Sequence, residues 1–286
     1  MPRVAYEVVH PERRTSCVVF ASPHSGRDYP WSFLRETVLD EMTIRSSEDA
    51  FVDQLFASAP RSGAPLLKAG APRAYIDLNR SADELDPALI EGVRRQGHNP
   101  RIASGLGVIP RVVSNGRAIY RGKMSKAEAE RRIALYWRPY HHMLQRLLDG
   151  AHRYHGKAVL IDCHSMPHEA MDGISRGGMV RPDVVLGDRF GAAAGSEVMD
   201  QVEAAFVAAG FIVARNAPFA GAYITQAYGR PSRHQHAIQV EIDRALYMDE
   251  TLIAPSDGFE SLRARLRAVV ADISTIGQMR VPLAAE

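Results

Sequence analysis

Eleven histidines in 286 residues are more than the composition requires, and their placement decides which chemistry is open to the chain. Two of them, His24 and His164, follow the apolar runs CVVFAS and AVLIDC, which read as buried strands. In open α/β sheets ligands bind beyond the carboxyl ends of the strands. The same edge would receive Asn79 and Arg80, which end AYIDLNR, and Glu241, late in AIQVEI. Two histidines and one carboxylate leave a fourth tetrahedral position open for water on zinc, the arrangement hydrolysis needs. The carboxylate would come from Glu48 or Asp49 in SSEDAF. Asp162 lies two residues before His164, on the same strand face, and either orients that histidine or is itself a ligand. Glu241 shares a face with Gln239 and Asp243, and a glutamate in so apolar a run is costly to bury unless paired or catalytic.

The other histidines have plainer roles. His234 and His236 form an H-x-H pair, but the flanking SRHQH reads as a polar turn before a strand. His141 and His142 are adjacent on a helix and cannot face one site together, while His152 and His155 sit near a helix end. No phosphate-binding G-x-x-x-x-G-K-[ST] or G-x-G-x-x-G loop is present, nor a G-x-S-x-G elbow. Cys17 and Cys163 lie within apolar runs and read as reduced, buried thiols.

These residues need a scaffold. Strands are expected at Cys17 to Ser22, in PLLKAG and AYIDLN, and at AVLIDCHS, VVLGD, FIVARN and AIQVEI. Ser46 and Ser47 would start a helix through EDAFVDQLFASA, with Glu48 and Asp49 in its first turn. Ser125 and Glu128 form a capping box for a long helix, with Ala129, Ile133, Tyr136, Tyr140, Leu144 and Leu148 along one side, kinked at Pro139 and ended at Gly150. Further helices are expected over about 193–209 and 259–276, and residues 81–120 read as a loop-rich excursion over the surface. Alternating strands and helices give an α/β class: one domain over 1–286, with a mostly parallel or mixed central sheet and helices on both faces.

At 46% hydrophobic and 24% charged, the chain has the composition of a soluble globular protein, which excludes disorder and small stapled scaffolds. A formal charge of +2, with basic residues scattered, gives no footprint for nucleic acid. The opening MPRVAYEVVHPERR has no apolar stretch of signal length and no long apolar run follows, so a cytoplasmic protein without a membrane partner is expected.

The segments SPHSGRDYP, EDAFVDQLF, RAYIDLNR, IYRGKMSKAEAERRIALYWRPYH, LIDCHSMP, DVVLGDRFG, APFAGAYIT and AIQVEIDRALYMDE follow one another in that order. Together they resemble the N-formylglutamate amidohydrolase (deformylase) family, which is similar to zinc carboxypeptidases. The resemblance implies a fold of that type and one zinc ion held by His24, Asp49 and His164, with Glu241 as general base. It favours Asp49 over Glu48, because the family's acid precedes the V-x-x-L[YF] segment by three positions, as Asp49 precedes Val52. PFAGAYIT departs from the family in one place, with Ala222 where a second glycine is common.

The leading expectation is hydrolysis of the formyl amide of a small anionic substrate, N-formyl-L-glutamate. A dianion calls for fixed cations, for which arginine's planar fork is best suited. Arg80, beside Asn79, is the first choice for the substrate, and Arg73 is a second that would stabilise the tetrahedral oxyanion. Arg176 and Arg181 are weaker candidates. Two alternatives are a zinc hydrolase of another N-acyl amino acid or short acidic peptide, and a non-catalytic binder of an anionic metabolite.

Overall fold

A computed structural model describes residues 4–94, 97, 99–172 and 180–278. Seven strands form one sheet: β1 (Tyr6–Val9), β2 (Val18–Ser22), β3 (Leu66–Ala69), β4 (Ala158–Met166), β5 (Val184–Gly187), β6 (Val213–Arg215) and β7 (Gln235–Asp243). Their order is β1-β3-β2-β4-β7-β5-β6. The central strands β3, β2, β4 and β7 run parallel, β1 pairs antiparallel with β3, and β5 pairs antiparallel with β7 and parallel with β6. The sheet is therefore mixed and mostly parallel, as expected.

Strands β2 and β4 are buried along their whole length, which is why both read as unbroken apolar runs. Helices cover both faces. On one side Phe20, Ile161, Cys163, Ile238, Val240 and Ile242 pack against the helices Ser196–Ala208 and Phe259–Ser274. On the other, Val19, Ala21 and Leu160 pack against Tyr140, Leu144 and Leu148 of the helix Arg138–His155. Cys17 and Cys163 are buried and free, as expected. No helix among the described residues is long and apolar enough to cross a membrane.

Several local expectations are corrected. AYIDLN is not a strand: Tyr75 and Ile76 donate to the Pro72 carbonyl in a turn, and Asp77 accepts from the Asn79 N–H, a side-chain turn that competes with a ladder. The helix expected through EDAFVDQLFASA is only Val52–Leu55, because Phe51 sits at φ 65° in the left-handed region. Glu48 and Asp49 therefore lie in irregular chain before it. Gly150 does not end its helix, which runs to His155 and is capped by Gly156 at φ 67°. A mid-helix glycine costs only about 1 kcal/mol, and here it leaves room for the Arg14 guanidinium, which donates to the Leu147 carbonyl. Of the capping box, only the Ser125 half forms, since the Glu128 carboxylate is taken by Arg131 and Arg132. Pro139 lies in the first turn of Arg138–His155, directly after a π-helical turn, Ile133–Trp137, and Trp137 Nε1 donates to the Arg80 carbonyl at 2.9 Å. Residues 81–120 are loop-rich but not superficial, for Leu89, Ile90, Val108, Ile109 and Ile119 are fully buried.

Candidate active site

Three parallel strands deliver side chains to one edge. His24 follows the end of β2, and β4 presents Asp162 and His164 on the face opposite Cys163. On β7, Gln239 and Glu241 stand opposite Ile238 and Val240, which belong to the core. The β4–β7 register pairs Asp162 with Gln239 and His164 with Glu241. Asp49 is brought in from the loop after residue 45, its N–H donating to the His24 carbonyl at 3.0 Å.

All six groups are buried, and His24, Asp49 and His164 offer ligand atoms within 4.8 Å of one another, a set that could hold a metal ion. Asp49 Oδ2 lies 2.9 Å from His164 Nδ1 and 3.4 Å from His24 Nδ1. The far nitrogens of both rings face carboxylates: His24 Nε2 is 2.7 Å from Asp77 Oδ1, and His164 Nε2 is 3.0 Å from Asp162 Oδ2. This is the orientation device common behind metal-binding histidines. Asp162 thus stands behind His164, in line with the first of the two roles open to it. Glu48 turns away, its carboxylate accepting from Arg45 and from the Tyr29 hydroxyl.

The electrostatics follow from this crowding. Burial alone would raise Asp49 and Asp77, yet the hydrogen bond with His164 and the neighbouring His24 ring hold Asp49 well below the usual carboxylate range, and the His24, Arg73 and Arg80 charges do the same for Asp77. Burial would lower His164, but Asp162 and Asp49 raise it well above an ordinary histidine. Among the described residues Glu241 has Gln239 Nε2 alone as a hydrogen-bond donor, at 2.8 Å. Burial, with Asp49 and Asp162 adding and His164 and Arg73 opposing, pushes it up to about 7.

Asn79 and Arg80 reach this edge from the loop rather than a strand end. Asn79 Nδ2 lies 3.2 Å from His164 Nε2, and its Oδ1 accepts from Ile224 N at 2.8 Å. Arg80 donates to the Leu106 and Asn79 carbonyls, and Arg73 Nε donates to Asp77 Oδ2 at 3.1 Å. Ala222, where a second glycine is common, has a negative φ of −117°, and its N–H donates to Gln239 Oε1. Arg181 is not brought into the site, being paired with Asp172 and His168. Arg176 lies outside the described residues. His234 is an exposed turn residue and buried His236 accepts from Gly195 N, so this pair is not brought together with the site.

Two residues of the site carry no obvious sequence signal. Asp77 sits inside an apolar run, and Arg244, just past the end of β7, donates to Asp49 Oδ1, Ser165 Oγ and the Glu48 carbonyl. Arg244 lines a cavity of about 350 Å³ together with His24, Asp49, His164 and Glu241, and that cavity also receives Arg101 and Ser114 from the 81–120 segment. A larger cavity of about 650 Å³, formed chiefly by residues 83–111, shares none of them.

Known proteins share this arrangement of chain. A crystal structure of N-formylglutamate amidohydrolase from Ralstonia eutropha JMP134 is 35% identical, with a TM-score of 0.87 over 94% of this chain and 96% of that one. A gene product of Agrobacterium tumefaciens, 15% identical with a TM-score of 0.65, shares the fold. The N-formylglutamate deformylases of Pseudomonas aeruginosa and Pseudomonas putida are 29% and 30% identical, covering 96% and 82% of this chain and 98% and 82% of their own lengths. The N-formylglutamate amidohydrolase family profile matches residues 16–248, and the chain belongs to that family.

Proposed function

We propose that the chain hydrolyses N-formyl-L-glutamate to formate and L-glutamate, with one zinc ion held by His24, Asp49 and His164. The observation that carries the metal is His24 Nδ1: it is buried, has no hydrogen-bond partner and faces Asp49, while Nε2 of the same ring is committed to Asp77. A buried nitrogen left in that state is costly unless something else binds it. Two imidazoles and a carboxylate are also the donor set zinc takes when one position stays open. When bound, the ion supplies a Lewis acid for the formyl oxygen and lowers the pKa of a water toward about 7.

The chain's own residues do the rest. Glu241, buried beside the three-residue cluster, accepts a proton from the attacking water and passes it to the leaving nitrogen as the C–N bond breaks. Arg73, fixed by Asp77 and lining the cavity, faces the charge that develops on the formyl oxygen. Arg80, lining the same cavity, has no carboxylate within ion-pair distance among the described residues and receives a substrate carboxylate. The relatives' names support the substrate.

Elemental analysis of the purified protein together with formate release from N-formyl-L-glutamate tests this reading. About one zinc per chain, with activity lost to a chelator and restored by zinc, is the expected result. Full activity in a metal-free His164→Ala variant would overturn it.

A further inference from the structure

Four arginines line the cavity, and three are committed. Arg73 pairs with Asp77, Arg244 pairs with Asp49, and Arg80 is held by two carbonyls. Arg101 is different: it lines the same cavity, is exposed, and its guanidinium has no hydrogen bond or ion pair among the described residues. Its backbone, by contrast, is fixed. Asn99 Oδ1 caps the turn Pro100–Ala103 by accepting from Arg101 N at 2.9 Å, and Leu106 N donates to the Arg101 carbonyl at 2.8 Å. The Leu106 carbonyl in turn accepts from Arg80 Nε at 3.0 Å, so the turn carrying Arg101 is fastened to Arg80 itself. The two charges are close enough that, after burial, Asp77 and Arg73, Arg101 is among the groups acting on the Arg80 pKa.

Two neighbouring guanidinium groups without carboxylate partners in one small cavity form a site for two negative charges. We propose that Arg101 is a specificity-determining residue that binds the second, side-chain carboxylate of the substrate, while Arg80 takes the first. This rests on the reading of the site as one for an N-formyl dicarboxylic amino acid. A monoanionic substrate would leave the Arg101 charge unused, so the preference for glutamate over an isosteric neutral side chain resides in the 81–120 segment.

The test compares kcat/KM of the zinc-loaded enzyme on N-formyl-L-glutamate and on N-formyl-L-glutamine, which has the same shape without the second charge. In Arg101→Met the glutamate-to-glutamine ratio falls by about 10- to 100-fold, the scale of a lost charged hydrogen bond, and the loss lies mainly in KM. Arg101→Gln serves as a second variant with the same expectation. An unchanged ratio, whether because both substrates weaken together or because neither does, would overturn the assignment while leaving the deformylase reading intact. Wild-type enzyme that carries zinc but hydrolyses neither substrate would overturn that reading itself, and Arg101's role with it.

Discussion

His24 Nε2 donates to Asp77 Oδ1 at 2.7 Å, across 53 residues of sequence. The direction of this hydrogen bond follows from the carboxylate: Asp77 is held ionised by His24, Arg73 and Arg80 against its burial, so it accepts and the ring nitrogen carries the proton. In the neutral ring that fixes the tautomer, with Nδ1 as the nitrogen facing Asp49. Replacing Asp77 frees the ring to rotate and to protonate the wrong nitrogen. Asp77→Asn should weaken zinc affinity by about 10- to 100-fold, read by competition with a chromogenic chelator, while the fold persists. Affinity equal to wild type would mean that Asp77 serves Arg73 alone.

Glu241 tests the division of labour between metal and base. It is the register partner of His164 but does not belong to the three-residue ligand cluster. Glu241→Gln should therefore bind zinc in the wild-type amount and lose about 100-fold or more in kcat. Gln239 Nε2 would still find an oxygen acceptor there, so the fold is not expected to suffer. Loss of zinc in this variant would instead make Glu241 a ligand.

What the sequence made legible follows strand geometry. His24, His164 and Glu241 could be placed because apolar runs and a two-residue period fix both the strand end and the face. Asp49 could be narrowed only to a pair of acids, because the chain there obeys tertiary contacts. Phe51 adopts a left-handed conformation that no propensity favours, and Glu48 is drawn off by Arg45 and Tyr29. AYIDLN carries the apolar density of a strand, but its hydrophobic residues are buried from a loop, and Asp77 turns the chain. The available hint was its position two residues before Asn79, an Asx-turn spacing. Arg244 left less trace, since its partners lie near residues 48, 49 and 165, and contacts of that range have no local signature.

Arg244 bears on stability as much as on the site. Its guanidinium neutralises Asp49 Oδ1 and satisfies Ser165 and the Glu48 carbonyl in a buried setting. Arg244→Met keeps much of the volume but strands those acceptors and leaves Asp49 with the histidines and the longer contact from Ser165. The metal-free protein should lose about 3 to 5 kcal/mol, seen as a lower denaturant midpoint at unchanged slope. Zinc at saturating concentration should recover part of the loss, because binding to the folded form alone adds stability. A shift below about 1 kcal/mol would show that solvent replaces the guanidinium.

The pH dependence of stability isolates a histidine outside the site. His141 is buried beneath Trp137: Nε2 donates to the Leu78 carbonyl at 2.9 Å, and Nδ1 accepts from the Tyr228 hydroxyl at 2.8 Å. Burial lowers its pKa to about 4, against 6.5 ordinarily. Between those values the unfolded chain holds a proton on this ring that the folded chain refuses. Unfolding therefore takes up a proton, and the stabilisation present above pH 6.5 is lost as the pH falls toward 4, by about 3 kcal/mol in all. Glu241, raised to about 7, acts with the opposite sign over part of this window, and His236, also lowered to about 4, acts with the same sign. The informative quantity is accordingly the difference between wild type and His141→Gln, whose amide can still donate to Leu78 but cannot titrate. That difference should shrink steadily from pH 7 to pH 4 in denaturant titrations, and a constant difference would show that His141 takes its proton in the folded state as easily as in the unfolded one.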